Sequence, residues 1–173
     1  MKNIEELKNI HKGEDIWVLG SGPSLNYINK NFFENKITIG VNRICKFFDC
    51  NYIVSKDSRG FENILNYKSA KSKIIISKYN CGNPGSVLNK INIEHFIFSH
   101  TSKKDNKPNI SIIKKNSNEI VVSHSTITSA IHIAAFMGAS NIMICGHDCG
   151  TIDGYSQINN YNKDFNKVIM KGE

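Results

Sequence analysis

Five short polar clusters in this 173-residue chain carry residue types that bind phosphates and move protons. The first is Gly20-Ser21-Gly22-Pro23-Ser24-Leu25, directly after the apolar run Ile16-Trp17-Val18-Leu19. Glycine permits a sharp turn and close approach of a ligand to the backbone. Pro23 suits a first helical position, because it has no N–H to lose and its φ is already set. The free N–H groups of a helix starting there would form an anion cradle, with a nucleotide phosphate as its natural occupant. An ordinary tight strand–helix turn is the alternative reading of the same residues.

The other four clusters follow other apolar runs. Asn42-Arg43 follows Ile37–Val41, and Lys56-Asp57 follows Tyr52–Val54. His124-Ser125-Thr126 follows Ile120–Ser123, and Gly146-His147-Asp148 follows Ile142–Cys145. Asn42 offers both a donor and an acceptor, which suits a ribose or base edge, or the cap of a following helix. Asp57 and Asp148 are the carboxylates that would hold a divalent ion between phosphate oxygens, or else cap helices. His147 is the candidate general base beside Asp148. Ser125 and Thr126 offer hydroxyls and N–H groups for a second phosphate, a role compatible with capping a helix.

These clusters need a scaffold. The apolar runs, with Ile74–Ser77 and Phe96–Ser99, are short and rich in β-branched or aromatic residues, as buried parallel strands are. Helical patterns separate several of them: Ser24–Phe33, with Leu25, Ile28 and Phe32 on one face; Ser58–Ala70; and Thr126–Gly138. Gly138 stops the last of these. His132, inside that helix, reads as a packed or surface residue. The expected architecture is an open, mostly parallel α/β sheet with helices on both faces, a single domain over residues 1–173. Such a sheet binds ligands beyond the carboxyl ends of its strands, which brings the five clusters to one rim. Tyr79–Glu119 is less regular and reads as surface loops, and the polar tail after Asp153 ends in a helical pattern near Tyr161–Met170.

Composition narrows the classes. The formal charge is +7, yet Arg43 and Arg59 are the arginines and the lysines are dispersed apart from Lys103-Lys104 and Lys114-Lys115. A nucleic-acid surface would cluster its basic residues and use arginine, so the charge implies mild attraction for anionic small ligands. The five cysteines, Cys45, Cys50, Cys81, Cys145 and Cys149, form no zinc-like pair and imply a reducing compartment. The polar Met1–Asp15 lacks a signal-peptide core, and no run of ~18 apolar residues spans a membrane, so the expected location is the cytoplasm. A third fingerprint glycine is replaced by Leu25 and the acidic ribose ligand by Asn42, which disfavours an NAD enzyme. No P-loop sequence occurs.

Together the turn, Gly40-Val41-Asn42-Arg43, Tyr52-Ile53-Val54 leading to Asp57, Ser125 to Ala130, and Gly146-His147-Asp148 with Asp153-Gly154 resemble the MptE-like domain family. The resemblance covers most of residues 16–155 and implies a Rossmann-like fold. That family is named for a 6-hydroxymethylpterin diphosphokinase that moves pyrophosphate from ATP to a pterin alcohol with Mg2+. It also includes domains of motility accessory factors that glycosylate flagellin. The turn and final strand look like those of bacterial sialyltransferases that use a CMP-sugar. The resemblance implies that Gly20, Ser21, Gly22, Pro23 and Ser24 bind nucleotide phosphate. Asn42 and Asp57 would contact nucleoside or metal, and Ser125, Thr126 and Asp148 would complete the site. The sialyltransferases place a histidine base in a lid after the last of these strands, and no histidine follows His147 here. The chain is also short for either group, which leaves a lid or partner segment unaccounted for.

The sequence therefore points first to a transferase with ATP as pyrophosphoryl donor to a small alcohol and Mg2+ as cofactor. A glycosyltransferase using a CMP- or other nucleotide-sugar for a surface glycan is the second reading, and a non-catalytic nucleotide-binding module the third. The acceptor stays open, and a homo-oligomer is compatible with the sequence.

Overall fold

The computed structural model describes residues 2–56, 61–77, 94–101, 119–121 and 125–163. Among them are eight strands: β1 (Lys2–Asn3), β2 (Asp15–Leu19), β3 (Ile37–Val41), β4 (Tyr52–Ser55), β5 (Lys73–Ser77), β6 (His95–Thr101), β7 (Glu119–Val121) and β8 (Asn141–Cys145). They form one sheet in the order β1-β6-β5-β4-β3-β2-β8, with β7 also on β6. All pairings are parallel; Leu19 lies between Gly40 on β3 and Cys145 on β8. From β2 the chain steps outward through β3 to β7, then returns across β2 to place β8 on the other side. The direction of winding therefore reverses between β2 and β8, at the ends of which the glycine turn and Gly146-His147-Asp148 lie.

The runs read as strands alternate their side chains between two cores. Ile16, Val18, Ile39, Val41, Val54, Ile75, Phe96 and Phe98 face one core, closed by α2 (Thr126–Phe136) through Ile127, Ala130, Ile133 and Ala134. Leu19, Ile53, Ile74 and Ile76 face the other, covered by Leu25, Phe33, Ile44, Phe48, and Ile64 of α1 (Phe61–Tyr67). Burial on both faces explains why the strands lack polar alternation. The result is the expected open, parallel α/β fold.

Three local expectations change. Ser24–Phe33 forms two 3-10 segments, Pro23–Tyr27 and Lys30–Phe33, rather than one helix. The Asn29 side chain accepts from the Asn31 amide and starts a new turn, an alternative that asparagine offers the backbone. Leu25 and Ile28 face the core as expected, but the tighter winding buries Phe33 in place of Phe32, which is 44% exposed. Tyr161–Lys163, the start of the supposed C-terminal helix, is a turn, and residues 164–170 lie outside the described residues. Strand β1 was not legible: two polar residues pair with Phe96 and Ile97, and Lys2 meets Glu94 at 2.6 Å. α2 ends as expected, with Gly138 at φ 90°. No helix among the described residues is long and apolar enough to cross a membrane.

Candidate functional site

A cavity of about 300 Å3 opens at the carboxyl rim where β2 and β8 part. The glycine turn supplies Gly20 and Ser21, the end of β3 supplies Val41 and Asn42, and the start of α2 supplies Ser125, Thr126 and Ile127. Gly146 and His147 come from the end of β8, and Tyr161 closes the cavity from the tail. Six residues picked from sequence thus meet: Gly20, Ser21, Asn42, Ser125, Thr126 and His147. A larger cleft of about 720 Å3 lies near the strand starts, between Ile37, Asn51 and Lys71. It is at the opposite edge from the one where open parallel sheets bind ligands.

The turn is built differently from a simple cradle. The Gly20 amide donates to the Cys145 carbonyl and the Gly22 amide to the Gly146 carbonyl, each at 2.8 Å. Ser24 N–H donates to Asp148 Oδ2 at 2.9 Å, and Leu25 N–H to the Gly22 carbonyl at 3.3 Å. These amides are spent on the end of β8, the loop after it and, for Leu25, the turn itself, so the expectation of a row of free donors is corrected. The Ser21 N–H has no acceptor among the described residues, and Ser21 lines the cavity.

The glycines are required by this close approach. A Cβ on Gly20 would stand 2.3 Å from the Gly146 oxygen, and one on Gly22 would stand 2.2 Å from Asp148 Oδ2. Pro23 occupies the first position of its 3-10 segment, as expected, and is buried. Gly22, Pro23, Ser24 and Asp148 form the layer behind the cavity wall.

The second helix start is a better donor. Ser125 caps α2, its hydroxyl accepting from the Ile127 amide at 3.4 Å. α2 runs eleven residues, long enough for its aligned peptide dipoles to favour an anion at Thr126. Asn42, just after β3, lines the same cavity. Its φ of 54° lies in the left-handed region, which asparagine tolerates better than most residues. Val41 is the cap of the following 3-10 segment and makes no side-chain cap bond, so Asn42 does not act as the cap.

His147 is exposed, with Nε2 3.8 Å from Cys149 Sγ. Cys145, below it, is half-buried, and its thiol is pushed up by burial and by the Asp148 charge.

Sequence reasoning missed Tyr161, which is 8% exposed and distant in the chain from the motifs. Its ring stacks on Phe47 with centroids 6.2 Å apart, and the Arg43 guanidinium lies 4.7 Å from its centroid. Burial raises its phenol, opposed by Arg43 and by a hydrogen bond from the Ser21 side chain. Ile158 N–H donates to the Ser21 carbonyl at 2.8 Å, and Asn159 N–H to Asn26 Oδ1 at 2.9 Å. Residues 158–161 therefore form a strap across the turn. The available signal was the spacing of Tyr155, Ile158 and Tyr161 in a mostly polar stretch.

Asp57 and His124 lie outside the described residues. Among the described residues no cluster of three or more His, Cys, Asp or Glu side chains is arranged for a metal. Of the two carboxylates expected to hold Mg2+, Asp148 accepts from the Ser24 amide through one oxygen, and Asp57 is the one outside the described residues.

A family model described as "6-hydroxymethylpterin diphosphokinase MptE-like" matches residues 1–154. The chain belongs to the MptE-like family. All the cavity residues except Tyr161 fall within the matched segment of this MptE-like chain. No curated protein sequence matches. Among solved structures, the chain is similar to the MAf glycosyltransferase from Magnetospirillum magneticum AMB-1, with TM-score 0.57 and 12% identity. That alignment covers 88% of this chain and 27% of the other, so the chain spans about a quarter of that protein's length. A likeness at this identity establishes the shared fold.

Proposed function

We propose that this MptE-like chain is a nucleotide-dependent transferase that holds donor phosphate in the cavity between β2 and β8. The observation that carries this reading is the meeting of the Ser21 amide, the Asn42 side chain and the capped start of α2 around one cavity at the reversal of winding. Asn42 recognises the nucleoside with its paired donor and acceptor. His147, exposed at the cavity edge, accepts the proton of the attacking hydroxyl. The bond from the transferred group to the donor phosphate breaks as the bond to the acceptor oxygen forms. The charge left on phosphate is stabilised by Ser21 N–H and the α2 dipole.

Glycosyl transfer from a nucleotide-sugar is the first reading, because the Ser21 amide and the capped start of α2 are placed for a leaving phosphate with His147 at the cavity edge. Pyrophosphoryl transfer from ATP to a pterin-like alcohol is the second reading, favoured by the family's description. It would need Asp57 beside Asp148 to hold Mg2+.

Thermal denaturation with CMP, UDP and ATP, each with and without Mg2+, tests the reading. A nucleotide at a hundredfold excess over its dissociation constant adds roughly 2–3 kcal/mol of stability. Stabilisation by CMP or UDP that survives a chelator supports glycosyl transfer. Stabilisation by ATP that needs Mg2+ supports the diphosphokinase reading, and no stabilisation by any nucleotide overturns both.

A further inference from the structure

On the outer side of the Tyr161 strap, residues Gly154–Lys163 enclose a second concavity of about 420 Å3. Tyr161 lines both this groove and the candidate site, so the two share a wall. The groove lies beyond residues 1–154, the segment common to the family, apart from Gly154 at its edge.

Its lining is amide-rich, with Tyr155 as an exposed aromatic platform and Lys163 as its one charged side chain among the described residues. Tyr155 is 54% exposed, a large ring surface left to solvent. It is held by a tight hairpin: Ile152 and Tyr155 exchange two backbone hydrogen bonds of 3.0 Å across Asp153 and Gly154, both at positive φ. The Tyr27 hydroxyl ties Asp153 down from the glycine-turn side.

The amides are oriented in series. Arg43 Nη2 donates to Asn162 Oδ1 at 2.9 Å, and Asn162 Nδ2 donates to Gln157 Oε1 at 2.6 Å. This chain of bonds fixes Gln157 with its Nε2 donors unspent. Asn160 contributes a further amide from a left-handed backbone, at φ 64°.

A fixed ring face beside oriented amide donors and acceptors matches the C–H face and hydroxyl rim of a sugar. We propose that this groove binds a carbohydrate, the acceptor for the group transferred across Tyr161. Its role as acceptor site rests on the transferase reading; its affinity for sugar does not.

Saturation-transfer NMR of the full chain with lactose, maltose and chitobiose tests this, with a serine-rich peptide as the competing ligand. Wild type and Tyr155→Phe should saturate the ring protons of at least one disaccharide. Tyr155→Ala and Gln157→Ala should reduce the effect at least about fivefold while keeping the native circular dichroism spectrum. Absence of transfer to all three sugars, an undiminished signal in Tyr155→Ala, or transfer to the peptide alone would overturn the groove's assignment. Nucleotide binding measured on the same samples separates the claims. Nucleotide binding without sugar binding defeats the groove alone, and sugar binding without nucleotide binding defeats the transferase reading while the carbohydrate site stands.

Discussion

Gly20→Ala should unlock the loop after β8 from the glycine turn. The added Cβ would stand 2.3 Å from the Gly146 carbonyl oxygen, 3.0 Å from its carbon and 3.2 Å from Ile127 Cδ1. The first two neighbours are backbone, so no side-chain rotation relieves the contact. Moving the oxygen beyond 3.0 Å requires a shift of about 0.7 Å. The Gly20–Cys145 and Gly22–Gly146 hydrogen bonds, each 2.8 Å, would stretch to the limit of bonding. Overpacking at about 1–3 kcal/mol, plus two bonds at about 0.5–1.5 kcal/mol each, gives a loss of about 2–6 kcal/mol. With a urea slope of about 2 kcal/mol per molar, the unfolding midpoint should fall by about 1–3 M. Gly150→Ala is the control, since its Cβ would meet only the Asp148 carbonyl oxygen, at 3.8 Å, and its effect should stay within about 0.5 kcal/mol. Equal urea midpoints for Gly20→Ala and Gly150→Ala, read by circular dichroism, would refute the close-approach account of the turn.

Asn42→Gly should keep or slightly raise the melting temperature, whereas Asn42→Ala should cost about 1 kcal/mol, because φ is 54°; calorimetry of the two variants checks this. His11→Ala should destabilise by about 1–3 kcal/mol in urea titrations, since His11 Nε2 is 2.9 Å from the hydroxyl of Tyr52, which is 4% exposed. Burial lowers the His132 imidazole below its usual 6.5, so the unfolded chain binds its proton first as pH falls. Stability from this residue is intact above about pH 6.5 and lost below it, with a slope of at most about 1.4 kcal/mol per pH unit, and His132→Gln should flatten that part of the urea-midpoint profile. Burial pushes Cys45 up to about 11 and Cys50 higher, so iodoacetamide at pH 8 should spare both and label the exposed Cys149 in peptide maps.

The strands other than β1 were legible because each carries a short apolar run, and β3 matches its expected bounds, Ile37–Val41. The convergence of Gly20, Ser21, Asn42, Ser125, Thr126 and His147 followed from one rule, that polar residues ending parallel strands share a rim. What failed was finer. Amide use in the turn depends on where β8 lies relative to β2, a long-range fact that no local pattern carries. Breaking of the Ser24–Phe33 helix depends on Asn29 winning a local hydrogen bond, a competition that apolar spacing does not reveal. Tyr161 joins the site through a strap, and a strap's course follows from contacts such as Ile158 to Ser21 rather than from its own composition.

Amide chemical-shift titration of the isotope-labelled chain with CMP and with ATP tests the central claim most directly. The account predicts saturable shifts at Ser21, Asn42, Ser125 and Thr126, at the rim between β2 and β8. Shifts confined to the cleft near Ile37, Asn51 and Lys71, or none with either nucleotide, would contradict it.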